Sequence, residues 1–136
     1  MTGCTETKPP SSETTLYKTY KVQKVREPIK IDADWDKPVW QAIEPITLEL
    51  YMGNQPEHKP KTMVKLAWDD EHVYVIFRVE DRYVRAVATE YFGSVCKDSC
   101  VEFFFTPQQD TADGYFNLET NCIGTILTRR SRNQKS

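Results

Sequence analysis

The sequence lacks a long apolar run, is poor in histidine and carries little net charge, and each shortage excludes a class of protein. No stretch approaches the roughly 18 consecutive apolar residues of a transmembrane helix, so no segment is predicted to span a bilayer. The 18 basic and 20 acidic residues leave a formal charge of −2, which argues against a general affinity for nucleic acid or for an anionic membrane surface. The two histidines, His58 and His72, fall on separate predicted loops and do not suggest a shared metal site.

The four cysteines form no recognisable metal or disulfide pattern either. Cys96 and Cys100 are four positions apart, which is not the spacing of a zinc ribbon, and only Cys122 could add a third ligand. A disulfide between Cys100 and Cys122 would require their strands to pair and would leave one core-region cysteine unpaired. The sequence therefore predicts no metal site, and the state of the thiols stays open.

What the sequence does contain is a strong β-hairpin signal between Thr62 and Glu80. Side chains alternate with a period of two on both sides of a short acidic turn, residues 69–72, which predicts an antiparallel hairpin with one buried face. The expected buried face carries Val64, Leu66, Trp68, Val73, Val75, Phe77 and Val79. The opposite face is mixed, and it is expected to lie under a loop or to present a polar binding surface. It carries Lys65, Tyr74, Ile76, Arg78 and Glu80. At 136 residues, the chain is predicted to be one mostly β domain.

Shorter elements are predicted on the N-terminal side of this hairpin. Loose alternation predicts strands at residues 16–25, whose lysines favour a sheet edge, and at residues 46–51. Between them, apolar residues at helical spacing predict one or two helical turns at residues 36–42, which would plug one end of a sheet. Trp35 and Trp40 belong to this region, and core packing is the expected role of both rings.

Residues 1–15 are rich in Thr, Ser and Pro and have no apolar period, so they are predicted to form a disordered tether. Cys4 follows a glycine at the start of that tether, which resembles the mature start of a bacterial lipoprotein, where the cysteine carries the lipid. That resemblance implies an extracytoplasmic location, in the periplasm or at the cell surface. The charged and apolar regions of a signal peptide are missing upstream of Cys4, so an incidental free thiol is the alternative.

Four motifs occur in a fixed order along the chain. They are Ile-Asp and Trp-Asp followed by Trp and Ala (31–42), the hairpin (62–81), Asp-x-x-x-Glu followed by three Phe (97–105), and Tyr-Phe leading to Asn-x-x-Gly (115–124). In that order they resemble the family 9 carbohydrate-binding modules, and the resemblance covers residues 26–127. It implies an antiparallel, jelly-roll-like β-sandwich that is non-catalytic and recognises sugars, as modules of secreted bacterial glycan-degrading systems do.

The chain departs from this family pattern at the sugar clamp. In the pattern, one wall of the clamp is an aromatic residue six positions before the Glu of Asp-x-x-x-Glu. Counting back from Glu102 gives Cys96, which cannot stack on a sugar in that way. The second wall comes from the C-terminal half of the family's fold, whereas here residues 128–136 read as a polar, basic tail. These departures predict weak sugar binding, a sandwich incomplete at its C-terminus, and self-association through uncovered strand edges and apolar faces.

The predicted sugar contacts are polar groups and loop aromatics near the Asp-x-x-x-Glu motif. Glu102 alternates with apolar neighbours; if it shares a sheet face with Arg78, the pair could hold vicinal sugar hydroxyls, and a structural ion pair is the alternative. Asp98 begins the motif and is expected to anchor a turn or loop more than to touch a ligand. Tyr91 and Phe92 lie on an adjacent predicted loop, where they could stack on sugar or cover a sheet end.

Other functions have less support in the sequence. Calcium accompanies some modules of the family, but the acidic cluster at residues 69–71 lacks the spacing of oxygen ligands, so no cofactor is assigned. Glu80 and Glu102 could mimic the carboxylate pair of a glycosidase, yet no nucleophile motif or phosphate loop is present. The predicted role is therefore a non-catalytic carbohydrate-binding module whose partner is an oligosaccharide or polysaccharide. The alternative is a structural or interaction domain without a sugar site.

Overall fold

The computed structural model describes residues 19–51, 53–107, 109 and 114–131, and β-strands predominate within them. The strands form two sheets: sheet A contains the first four strands and sheet B the last three. The predicted all-β, sandwich-like fold is confirmed. In chain order the elements are β1 (Gln23–Lys24), α1 (Pro38–Gln41), β2 (Ile46–Thr47), β3 (Lys61–Trp68), β4 (Val73–Glu80), a 3-10 turn (Val95–Lys97), β5 (Cys100–Phe105), β6 (Tyr115–Asn121) and β7 (Ile126–Ser131).

The predicted hairpin forms from β3 and β4, and β3 is the central strand of sheet A. Its antiparallel register runs without a break from Lys61 opposite Glu80 to Trp68 opposite Val73. β4 therefore occupies one edge of β3 along its whole length. On the other edge, β2 pairs antiparallel and β1 pairs parallel, each over two residues of β3.

The N-terminal elements are shorter than the sequence predicts. The strands expected at residues 16–25 and 46–51 reduce to β1 and β2, with residues 16–18 outside the described part, and the helix expected at residues 36–42 reduces to α1. Both strands pair with the same edge of the eight-residue strand β3, so neither can extend along its whole length. The parallel pairing of β1 with β3 also departs from the predicted antiparallel arrangement.

Asp69 closes the hairpin turn with its own side chain. Its Oδ1 accepts hydrogen bonds from the backbone N–H groups of Glu71 (2.8 Å) and His72 (2.7 Å), as aspartates in tight turns commonly do. Its Oδ2 accepts a bond of 2.6 Å from the Tyr74 hydroxyl. These hydrogen bonds, the one from Tyr74 above all, lower the pKa of Asp69 to about 2. The carboxylate that opens the acidic turn is thus committed to local structure.

The core of sheet A lies on the hairpin face that the sequence marks as mixed. Ala67, Tyr74 and Ile76 are 0%, 6% and 9% exposed. They pack in one cluster with buried side chains of the N-terminal segment: Ile29, Trp40 and Ile43. On the opposite face, Val73 and Val79 are 63% and 45% exposed. The predicted buried face is therefore only partly covered: Val64 on it is 6% exposed, while the main cluster covers the other face, because alternation separates two faces but does not say which one a remote segment covers.

Lys65 lies inside this core although it is charged. Its side chain is 4% exposed; the ammonium group donates a hydrogen bond of 2.7 Å to the carbonyl oxygen of Trp40 and lies 4.3 Å from the centroid of the Trp35 ring. The hydrogen bond and the cation–π contact replace water around the charge. The packing role predicted for the two tryptophans is confirmed, and Lys65 ties them to the hairpin.

Sheet B has β6 at its centre, between β5 and β7, and both pairings are antiparallel. Its register sets Glu102 opposite Glu119 and Phe104 opposite Asn117. Directly opposed residues project to the same face of a sheet, so these four side chains share one face. This face of sheet B carries the residues of the candidate site.

The described C-terminal end is a strand rather than a tail. β7 continues through Ser131, and residues 128–131 pair with β6. The tail predicted to begin at residue 128 is therefore wrong over these positions, since an edge strand accommodates basic side chains on its solvent side. Residues 132–136, and the predicted tether 1–15 with Cys4, lie outside the described residues. Among the described helices, none is long and apolar enough to cross a membrane.

Candidate functional site

Asp98 holds the loop of residues 81–99, which connects the two sheets, through hydrogen bonds. Its Oδ2 accepts hydrogen bonds from the backbone N–H groups of Val87 (2.9 Å) and Ala88 (2.8 Å), and its Oδ1 lies 3.5 Å from Nε of Arg85. The bond from Ala88 is the main cause that holds the pKa of Asp98 below its ordinary value. With its side chain 2% exposed, Asp98 acts as the expected loop anchor and offers a ligand almost no surface.

Asn121 ties the same loop to the turn between β6 and β7. Its Nδ2 donates to the carbonyl oxygen of Ala88 (2.9 Å) and to Oδ2 of Asp98 (3.0 Å). Its Oδ1 accepts from the backbone N–H groups of Ile123 (3.3 Å) and Thr125 (2.8 Å). The amide is 3% exposed, and these four bonds use both of its donors and both of its acceptor positions. Asn121 is therefore a structural hub beside the site.

The loop displays two aromatic side chains, Tyr91 and Phe92, which are 64% and 60% exposed. Their ring centroids lie 4.2 Å apart. Phe92 has a φ of 63°, a left-handed conformation that costs a bulky residue about 1–3 kcal/mol. Its backbone N–H donates a bond of 3.3 Å to the carbonyl oxygen of Ile126, where β7 begins. The loop thus holds both rings in solvent at this end of sheet B, where they are accessible for stacking.

Glu102 is exposed on β5, and a buried pair beside it on the same sheet face orients its carboxylate. Nδ2 of Asn117 donates to Oε2 of Glu102 (3.3 Å) and to Oε1 of Glu119 (2.9 Å). Asn117 and Glu119 are 8% and 4% exposed. Oδ1 of Asn117 and Oε2 of Glu119 are buried and have no hydrogen-bond partner in the described part of the chain. Glu102, Asn117 and Glu119 thus form a polar row in which only the Glu102 carboxylate is exposed to solvent.

Sequence reasoning misses Asn117 and Glu119, although a signal for them exists. Asn117, Glu119 and Asn121 recur with a period of two along β6, and this spacing places them on one strand face. Polar residues that alternate in this way are ordinarily expected at the surface. Their burial depends on the neighbouring strands and, at Asn121, on the loop, which are contacts that the local pattern does not encode.

The structure places Arg78 and Glu102 in different sheets. Arg78 lies on β4 of sheet A, where its Nε is 3.7 Å from Oε1 of Glu80. Glu102 lies on β5 of sheet B and bonds to Asn117. The predicted shared face is wrong because β4 and β5 do not belong to the same sheet. Glu80 and Glu102, the carboxylates that could mimic a glycosidase pair, are separated in the same way.

The three described cysteines, Cys96, Cys100 and Cys122, are free thiols. Cys96 lies on the 3-10 turn and is exposed, whereas burial is the main cause that raises the pKa of the Cys100 thiol. Over the ranges that the structure covers, no three His, Cys, Asp or Glu residues are grouped so that they could hold a metal ion.

Comparison with known proteins identifies the family. The model of carbohydrate-binding family 9 matches residues 29–136, far more than half of the chain. The chain belongs to carbohydrate-binding family 9. A solved structure of a candidate carbohydrate-binding protein from Bacteroides uniformis ATCC 8492 is similar, with a TM-score of 0.66 and 28% sequence identity. The match covers 85% of this chain and 53% of that one, so this family 9 chain spans about half the length of its relative. No curated protein sequence shows significant similarity.

Proposed function

We propose that this family 9 chain is a non-catalytic carbohydrate-binding module that binds sugar at Glu102 on sheet B. The observation that carries the proposal is the exposed Glu102 carboxylate, to which Asn117 donates a hydrogen bond from the neighbouring strand while Asn117 itself is held by the buried Glu119. A carboxylate is an acceptor for sugar hydroxyls, and charge-assisted hydrogen bonds are stronger than neutral ones. The family and the similar protein from Bacteroides uniformis support carbohydrate as the ligand.

The affinity is expected to be low because an aromatic wall is missing. Cys96 stands where the family pattern has a stacking aromatic, and its thiol cannot supply the apolar face that a sugar ring packs against. Tyr91 and Phe92 display rings on the same loop and could compensate in part. A micromolar dissociation constant for any mono- or oligosaccharide would contradict the expectation of weak binding.

The biological setting that we propose is glycan breakdown outside the cytoplasm, with the domain tethered to a membrane through Cys4. The support is the Thr/Ser/Pro-rich composition of residues 1–15 and the position of Cys4 directly after a glycine. Mass spectrometry of the N-terminal peptide from the native host tests this directly. A lipid-modified Cys4 is the expected result, and an unmodified thiol on the mature protein would remove the membrane tether from the proposal.

The second candidate is an interaction domain without a sugar site. It is favoured by the apolar side chains that sheet A leaves open, because exposed apolar patches commonly mark binding surfaces. These are Trp68, Val73 and Val79, which are 39%, 63% and 45% exposed. Sedimentation velocity at micromolar concentration addresses this candidate: self-association without sugar binding would favour it over a carbohydrate-binding module.

Glu102→Gln is the variant that tests the sugar site. It removes the charge but nearly preserves the shape, so binding of an oligosaccharide should weaken about tenfold, while stability should change by less than about 0.5 kcal/mol because the side chain is exposed. Glu71→Gln, the same substitution at an exposed position in the hairpin turn of sheet A, is the matched control. Equal weakening by both variants, or a large loss of stability in Glu102→Gln, would contradict a direct sugar contact at Glu102.

A further inference from the structure

Two exposed aromatic rings lie beside Glu102 on the same face of sheet B. Phe104 follows Glu102 by two positions on β5 and stands opposite Asn117 on β6. Tyr115 precedes Asn117 by two positions on β6. Because side chains two apart on a strand project to the same face, both rings share the face of the polar row. Phe104 and Tyr115 thus lie next to the polar row, towards the end of sheet B where β5 ends and β6 begins.

The two rings contact each other but remain accessible. Their centroids are 5.7 Å apart with planes inclined by 55°, and Phe104 and Tyr115 are 55% and 41% exposed. The opposite face of the same sheet differs, because its phenylalanine rings stack on one another. There the centroids of the Phe103–Phe105 and Phe105–Phe116 pairs lie 5.5 Å apart, with planes inclined by 22° and 17°.

The spacing suits a single sugar ring. Same-face residues on one strand are about 6.6–6.8 Å apart, so a pyranose that stacks on Phe104 would direct its edge hydroxyls towards the Glu102 carboxylate. Asn117 already holds that carboxylate in place, which reduces the ordering cost of binding. Apolar contact with the sugar's C–H face and polar contact at its edge would then come from adjacent side chains.

We propose that Phe104 and Tyr115 form a stacking platform for a pyranose whose edge hydroxyls bond to Glu102. This inference rests on the proposed function and names the sugar class that its site takes. A pyranose with all hydroxyls equatorial, such as a β-glucoside, presents a flat C–H face to the rings and vicinal hydroxyls at its edge. An axial hydroxyl projects from one face only, so a galactoside can still stack through its opposite C–H face.

Binding of sugars to the full chain, followed by NMR, tests the platform. The probes are methyl β-D-glucopyranoside, methyl β-D-galactopyranoside, which has an axial hydroxyl at C4, and a β-1,4-linked glucose tetrasaccharide. Phe104→Leu and Tyr115→Leu keep an apolar side chain but remove the flat ring, so each should weaken binding of the tetrasaccharide about tenfold, equivalent to about 1.4 kcal/mol.

Phe105→Leu is the matched control, because it changes the next residue on the opposite face, where Phe105 is 42% exposed. This variant should change the affinity for the tetrasaccharide less than twofold. Both monosaccharide glycosides should bind, since each presents a C–H face to the rings.

The conservative variant Tyr115→Phe keeps the ring and should bind like the unmodified chain. Circular dichroism melts of every variant separate a lost platform from a lost fold. If Glu102→Gln weakens binding but Phe104→Leu and Tyr115→Leu do not, the platform is overturned and the proposed function stands. If the unmodified chain binds no probe, both are overturned. If Phe104→Leu alters sedimentation and leaves sugar affinity unchanged, the rings serve contact between copies of the chain, which also overturns the platform.

Discussion

The two sheets of this family 9 domain bury different kinds of side chain. Sheet A buries a mainly apolar cluster, to which Ala67, Tyr74 and Ile76 contribute the strand residues. Sheet B buries mainly polar side chains along β6, namely Asn117, Glu119 and Asn121 at 8%, 4% and 3% exposure, together with Leu127 of β7 at 4%. Apolar burial stabilises without fixing directions, whereas hydrogen bonds between buried polar groups fix the positions of the atoms that they join. Sheet A therefore serves as the stabilising scaffold, and sheet B fixes the positions of the polar groups around Glu102, the proposed sugar contact.

If sheet A is the scaffold, deleting a core ring there should have the greatest effect on stability. Trp40 is 3% exposed and its carbonyl oxygen accepts the bond from Lys65, so Trp40→Ala should cost about 3–5 kcal/mol. Trp68→Ala, on the open face of the same sheet with Trp68 39% exposed, is the matched control and should cost less than about 2 kcal/mol. Urea denaturation measures both, and similar losses would contradict the assignment of the covered face.

In sheet B, the corresponding substitution removes directional hydrogen bonds rather than apolar side-chain volume. Asn121→Ala removes four hydrogen bonds and should cost about 2–4 kcal/mol. The freed loop should also lose protection of the backbone N–H groups of Ile123 and Thr125 by about tenfold in hydrogen exchange. Asn54→Ala, at an exposed loop position, should leave both quantities unchanged. Unaltered exchange in Asn121→Ala would show that other contacts hold the turn.

A smaller effect is expected from acid, and it should come from the hairpin turn of sheet A. The pKa of Asp69 is lowered to about 2 in the folded chain from an ordinary value of 3.8. A carboxyl group with a depressed folded pKa stabilises the fold fully above its unfolded pKa and loses that contribution as pH falls through the folded value. Stability should therefore decline between about pH 4 and pH 2, with uptake of up to about one proton on unfolding from this group. Asp69→Asn should remove that component, and an identical acid profile for the variant would contradict the assignment.

The elements that could be predicted are those whose signals are local. The hairpin between Thr62 and Glu80 follows from alternation and from an acidic turn that Asp69 closes with its own side chain. The motif predicts that Asp98 anchors a loop, and Asp98 accepts hydrogen bonds from the N–H groups of Val87 and Ala88. The prediction that Glu102 lies beside Arg78 failed because no local pattern shows that the chain passes to a second sheet between them.

Local sequence was therefore sufficient for the strand-rich fold class, for the hairpin and its turn, and for Glu102 as a polar residue among apolar neighbours. Contacts between distant segments of the chain determined which side chains are buried. They covered the hairpin face that carries Lys65, and they buried Asn117 and Glu119 beside Glu102. Alternation divides the side chains of a strand between two faces, and it does not say which face will be buried. Which face becomes the interior depends on the free energy of contacts with segments far away in the chain, and those contacts exist only once the chain has folded.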